Sequence, residues 1–349
     1  MNFCLAQQRK YRHFLYFHSL KFVFSFDLHY FCIARTRQAS LQCLNRRVVF
    51  LYAMRYNKQY SAPEELITLL RERGLVIEEE TDALQNIRSI GYYRLSAYLH
   101  PFLRIPKTEH VFKEGTSFEQ AMSIYTFDRH LRLLIFDQIE RIEIAVRSAI
   151  VNITSRDTGN PFWMTSAETY AHADKFQRTL QLIDKELQTT REEFIKHFKD
   201  TYTDPYPPSW MLAEILPFGV LTRVYENIAS NQIRKSIARY FGLNVPVFTS
   251  WLTIITVTRN ACCHHARLWN RKLSIRALLM NRWDAPWISE SVQQGRIFFT
   301  LCILKHFMDV VHPQNTLKED LKSLLQTYPM IDVVVMGFPK KWEEEPLWR

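Results

Sequence analysis

The stretch YTFDRHLRLLIFDQIERIEIAVRS (125–148) decides how this chain folds. In and around it Ile124, Phe127, Leu131, Leu134, Ile142, Ala145, Ala149 and Ile153 recur at spacings of three or four, or sums of these. The pattern predicts one helix of about ten turns, on the order of 50 Å long at the α-helical rise. Gly159-Asn-Pro161 ends it. On a neighbouring stripe lie Glu140, Glu143 and Arg147, the last two at the i, i+4 spacing that lets opposite charges meet. Taken alone, such a stripe reads as a solvated face of ion pairs.

The flanking sequence continues in the same style. Eight glycines in 349 residues, with abundant Leu, Ile, Glu, Arg and Gln, favour helix over sheet. A hydrophobic share of 47% is enough for a large core. On the N-terminal side, Ser61-Ala-Pro63-Glu64 reads as a capping box, with Gly74 as the stop. A second helix is expected from about Glu79 to Ile90 and a third over YYRLSAYLHPF (92–102), closed by Pro101. On the C-terminal side, a charged helical stretch runs from about Ser166 to His197. WMLAEILPFGVLTRVYENI (210–228) reads as two helical pieces hinged at Pro217 and Gly219, and a further helix covers about Asn231 to Phe241. Asn244 and Pro246 start a helix with the core stripe Val247, Trp251, Ile254, Ile255, Thr258 and Cys262. Residues 272–328 are again helix-like, and MGFPKKWEEEPLWR is irregular. The expected fold is all-α, a helical bundle with a small helical N-terminal unit. Its divisions are 54–112 for that unit, 113–330 for the main domain and 331–349 for the tail.

Residues 1–53 stand apart. They hold eight Lys or Arg against one acid, Asp27, and so carry +7 of the formal +10, leaving a mildly basic body. They show no clean period. No uninterrupted apolar region precedes a small-residue cleavage site, and His18, Lys21, Asp27 and His29 break any membrane span. We read this segment as non-native upstream sequence or disordered chain, with Met54 as the working start, which the intact mass of the native protein checks. Of six cysteines, only Cys262, Cys263 and Cys302 lie in the body, without C-x-x-C spacing, which fits a reducing cytoplasm and no membrane.

The helix beginning at Asn244 ends in RNACCHHARLWNR (259–271). Arg259 and His264 are five residues apart, so a regular helix sets them about 140° apart and roughly 7.5 Å apart along its axis. Two copies packed about a two-fold axis would let Arg259 and His264 of each face one shared cleft. The pair suits RNA cleavage without a metal or other cofactor. A neutral histidine can take the proton of a ribose 2′-OH, an imidazolium can donate to the leaving 5′-oxygen, and arginine can clamp the charge on the phosphoryl oxygens. Asn260 could orient the phosphate or the histidine, Arg267 and Arg271 could hold flanking phosphates, and Trp269 could stack a base.

Plainer readings stand beside it. Basic side chains near a helix C-terminus are favoured by the helix dipole. Four consecutive residues, Cys262 to His265, cannot converge tetrahedrally on zinc. Cys263 points away from where a His264 base would activate it.

RNACCHHARLWNR resembles the signature of the Abi family of abortive-infection proteins, of AbiD and AbiF type. That family is itself similar to HEPN-type ribonucleases, which carry an R-x4-6-H motif with a polar residue after the arginine. Similar to it also are RGLVIEEETDALQNIRSIGYYRLSAYLHPF (73–102), the long-helix block, PPSWMLAEILPFGVLTRVYENI (207–228) and MGFPKKWEEEPLW, so that the likeness runs from about Met54 to Trp348. The resemblance implies a HEPN-like helical fold with the long helix near the R-x4-H helix, and a role in defence against phage. It matches Arg259 and His264 to the catalytic pair, Asn260 to the polar position and His265 to a second histidine. It also puts Glu140, Glu143 and Arg147 in a supporting charged block. Cys263 stands where the family usually has alanine. The function implied is a metal-independent endoribonuclease, active as a homodimer. The alternative is a non-catalytic RNA-binding or regulatory module of the same defence class. The partners in view are RNA, a second copy of the chain, and a small RNA or an antitoxin.

Overall fold

The computed structural model describes residues 59–283, 286–289 and 291–349, and the expectations for residues 1–53 and for a start at Met54 fall outside them. Ala62–Arg349 forms one compact unit. Among the described residues it is built from α-helices, short 3-10 turns and isolated bridges, with no strand.

The long helix is the axis. It spans Phe118–Thr158, 41 residues and about 60 Å. Ser117 caps its start by accepting the Gln120 N–H, and Gly159, in the left-handed region, ends it. Three helices precede it: α1 (Pro63–Glu72), α2 (Glu80–Ile90) and α3 (Tyr92–Leu99), so the long helix is α4. The cap of α1 lies one residue later than expected. Ala62, not Ser61, donates its N–H, and Glu65 receives it at 2.9 Å. Beyond α4 come α5 (Ala173–Thr189), α6 (Glu193–Thr201), α7 (Ser209–Ile215), α8 (Phe218–Asn227), α9 (Asn231–Tyr240), α10 (Val245–Cys263), α11 (Ile297–Val311) and α12 (Leu317–Thr327). Helices α3, α7, α8, α9, α10, α11 and α12 all pack on α4.

That crowding corrects the register read from the sequence. The buried line along α4 is Ile124, Phe127, Leu131, Ile135, Ile139, Ile142, Val146 and Ile150, whereas Leu134, Ala145 and Ile153 are only half-buried. At 100° per residue Leu134 sits about 80° off the Ile124 line and Ile135 about 20°, so the regular geometry favours Ile135.

The break at Pro217 separates α7 from α8 as expected, but Gly219 lies inside α8 rather than in the hinge. Its role is close packing: a Cβ there would lie 3.6 Å from Thr256 Cγ2 on α10. The expected helix over 272–328 is wrong in nearly its first half. After α10 the described residues up to Arg296 form no helix, because the backbone there bonds to α10 and to itself at long range. Leu278 donates to Ser250 Oγ, its carbonyl accepts Trp251 Nε1, and Leu273 donates to the Gly295 carbonyl. The irregular tail folds back into the core: Trp348 is fully buried, and Gly337, at φ 88°, lies so close to Arg296 that a Cβ would come within 2.4 Å. Among the described residues no single helix is long and apolar enough to cross a membrane. Only α9 and α10 together pass that test, and they are bent by 63°.

Candidate functional site

Helix α10 carries Arg259, Asn260 and the start of the R-x4-H sequence. Asn244 caps it by accepting the Val247 N–H at 3.0 Å, and its expected core stripe from Val247 to Cys262 is buried throughout. Its far end is a six-residue closure. Ala266 N–H donates to the Ala261 carbonyl at 2.8 Å and His265 N–H to the Cys262 carbonyl at 3.0 Å, with His265 at φ 55°. That is the Schellman pattern, with histidine at the left-handed position where glycine is usual. A non-glycine residue there stores strain of about 1–3 kcal/mol. His264 is thus the C-cap, exposed, its own N–H bonded to the Asn260 carbonyl at 3.0 Å.

Arg259 points to α4. Its Nε lies 3.7 Å from Glu143 Oε2, and Glu143 Oε1 lies 3.3 Å from the Arg147 guanidinium. Arg147 in turn donates at 3.2 Å to the carbonyl of Leu216. Pro217 explains that acceptor: the break it imposes ends α7 and leaves the Leu216 carbonyl without a helical partner. A proline in one segment thereby orients an arginine in another. Glu143 and Arg147 are largely buried, whereas the Arg259 side chain is 36% exposed. Glu140, one turn before Glu143, faces solvent and makes no contact with this chain of charges among those the structure gives.

The segment after α10 is held from below by a residue the sequence reading did not single out. Asp128 is fully buried. It accepts Tyr98 Oη at 2.7 Å, the Arg132 guanidinium at 2.5 Å, the Leu268 N–H at 3.1 Å and the Trp269 N–H at 2.6 Å. Burial pushes its carboxyl above the usual range, and Arg132, Tyr98 and the two amides work against that shift. Further ties join the same segment to α3: Arg94 donates to the His265 carbonyl at 2.6 Å, and Arg267 donates to the Ala97 carbonyl. The signal in the sequence was an acid and a base at i, i+4 inside an otherwise apolar face.

Trp269 needs correction. Its ring is buried, 5% exposed, because Asp128 draws its backbone inward, so it presents no face for a base. Arg267 and Arg271 are half-buried. Cys262 is buried and its thiol is pushed up to about 12, chiefly by burial, and Cys263 is half-buried. Among the described residues no three His, Cys, Asp or Glu side chains converge as a metal-ligand set.

The fold and this end of α10 therefore define an all-α protein whose R-x4-H helix is clamped to a long central helix. Residues 85–270 match the Abi-like protein family, over more than half of the chain, and the chain belongs to that family. The matched span contains α4, α10, both halves of the Asp128 contact and every residue from Arg259 to Asn270. No curated protein and no solved structure matches the chain.

Proposed function

We propose that this chain is a metal-independent endoribonuclease of an abortive-infection system that acts against phage, working as a homodimer in the cytoplasm with a HEPN-like core. Family membership supports the defence role. What carries the catalytic part is one observation: Arg259, the first residue of R-x4-H, pairs with Glu143, which Arg147 holds in turn, yet keeps a third of its side chain in solvent, and His264 at the end of the same helix is exposed. A largely buried acid paired with a partly exposed arginine suits a phosphate clamp, because the guanidinium is placed before the anion arrives.

In the reaction, neutral His264 takes the 2′-OH proton and the 2′-oxygen bonds to phosphorus. The bond from phosphorus to the 5′-oxygen breaks, and a protonated His264 from the second copy gives its proton to that oxygen. Arg259 stabilises the charge on the non-bridging oxygens. The products are a 2′,3′-cyclic phosphate and a 5′-OH. Asn260, half-buried beside Arg259, positions the phosphate, and His265 shapes the turn. A small RNA or an antitoxin is the partner class that would restrain such an enzyme.

The test is cleavage of end-labelled RNA and matched DNA by the full chain, with EDTA present, beside Arg259→Ala and His264→Ala. RNA-only cutting that ends in cyclic phosphate and is lost in both variants supports the reading. Cutting that survives both variants overturns it, and a folded protein that binds RNA without cutting it favours the non-catalytic module.

A further inference from the structure

The connection between α3 and α4 is folded back on itself. Arg104 N–H donates to the Val111 carbonyl at 2.8 Å and Lys113 N–H to the Phe102 carbonyl at 2.9 Å, with Leu103 and Phe112 paired as an antiparallel bridge. Leu103 and Phe112 are buried, so the base of this arm is fixed to the body. Its outer part carries Lys107 and His110, and Lys113 follows at its foot.

The arm is not alone. Lys107 Nζ lies 3.4 Å from His100 Nδ1 and 3.3 Å from the His100 carbonyl, and Arg267 reaches in from the segment after α10 to the Ala97 carbonyl, within one turn of His100. These cations feel one another. Burial first, then Lys107, Arg267 and His110, hold the His100 imidazole below its usual range. Burial, then Lys113 and Arg267, lower Lys107, and burial, then Arg267, lower Arg271 against the pull of Asp128. Between residues 103 and 113 the single acid is Glu109. Two segments far apart in sequence, 100–113 and 267–271, have been folded so that basic side chains crowd together, an arrangement that an anion relieves.

We propose that His100, Lys107, His110, Lys113, Arg267 and Arg271 form a track that holds the phosphate backbone of single-stranded RNA and delivers it to Arg259 and His264. This rests on reading Arg259 and His264 as a phosphate site. Continuity with that site favours RNA over a lipid surface. Arg267 is three residues from His264, at most about 11 Å of chain, and Arg94 on α3 donates to the carbonyl of His265 in the same turn. Recognition is through phosphates, so the track is tolerant of sequence.

The experiment is fluorescence anisotropy of a short labelled oligouridylate, titrated with salt, using the full chain carrying His264→Ala so that no cleavage intrudes. Removing two phosphate contacts with Lys107→Ala and Lys113→Ala should weaken binding and lower the slope of log K against log salt by roughly 1.4, about 0.7 per contact on a single strand. Lys107→Arg with Lys113→Arg should restore both. Lys185→Ala with Lys196→Ala, exposed cations on α5 and α6, should change neither. An unchanged slope in the first pair, or an equal fall in the control pair, overturns the track. So does binding to phosphatidylglycerol vesicles that depends on Lys107 and Lys113 while the oligonucleotide does not bind. Because binding is read without cutting, failure here leaves the cleavage result standing, and the reverse.

Discussion

Helix α4 carries two acid–arginine pairs at the same i, i+4 spacing, Asp128–Arg132 and Glu143–Arg147, fifteen residues or about 22 Å apart along one axis. By local sequence they are alike, and their surroundings make them different things. Asp128 is sealed, and each of its partners belongs to the protein: a tyrosine, an arginine and two backbone amides. Glu143 has a looser shell, 3.3 Å to Arg147 and 3.7 Å to an Arg259 that is itself partly in water. A closed set of partners makes a strut, and a set that ends at solvent can still receive a ligand.

The comparison breaks most readily at Arg259 and His264. Each change to alanine should cut RNA cleavage by about 10²- to 10⁴-fold while the urea midpoint stays near that of wild type. An early unfolding of Arg259→Ala would make the solvent-facing pair a strut as well. Asp128→Ala should show the opposite profile, a loss of about 3–5 kcal/mol in urea unfolding, because Arg132 would be left buried without its partner. If that variant unfolds like wild type, the sealed pair is not what holds the segment after α10.

A titration separates stability from catalysis. His306 on α11 is buried, its Nε2 2.9 Å from the Phe241 carbonyl, and burial holds it below its ordinary 6.5, with that carbonyl and Asp309 pulling the other way. The unfolded chain then takes up this proton at a higher pH than the folded one does. His306 contributes its full stability above about 6.5, and that contribution declines as pH falls below it. Urea melts across this range should show the acid-side loss, and His306→Gln should flatten it without moving the pH profile of cleavage, since His306 lies outside the Arg259 contacts. The smallest effect is expected at the turn between the two regions. His265→Gly should leave stability equal or raise it by about 1 kcal/mol, because glycine adopts φ 55° without strain. A marked loss would mean that the imidazole, and not only the backbone, holds the turn.

Much of this was legible beforehand. The long helix, the core stripe of α10, the break at Pro217 and the join between Glu143 and Arg147 follow from spacing alone. Local rules placed the cap of α10 at Asn244 and the stop of α4 at Gly159, because caps and stops are local. They ran α5 and α6 together, however, as one stretch from about Ser166 to His197, where the chain breaks at residues 190–192. They did not reach Asp128, whose partners Leu268 and Trp269 lie 140 and 141 residues away. Nor did they show that Trp269 faces inward, since that depends on Asp128. The segment after α10 has helix-like composition, and its backbone is claimed instead by Ser250, Trp251 and Gly295, none of which a window of neighbours contains. Arg259 meeting Glu143 belongs to the same class of fact: two stripes visible separately, joined only by the fold.

The long reach of Asp128 also sets an order of events in the making of the protein. A chain emerging from the ribosome at about 5–20 residues per second presents α4 on the order of ten seconds before Leu268 and Trp269 exist to close on it. Until then the turn that carries His264 lacks its tie to α4 through Asp128. A cleaving enzyme built this way would stay harmless to the message being read and to the ribosome reading it for most of its own synthesis.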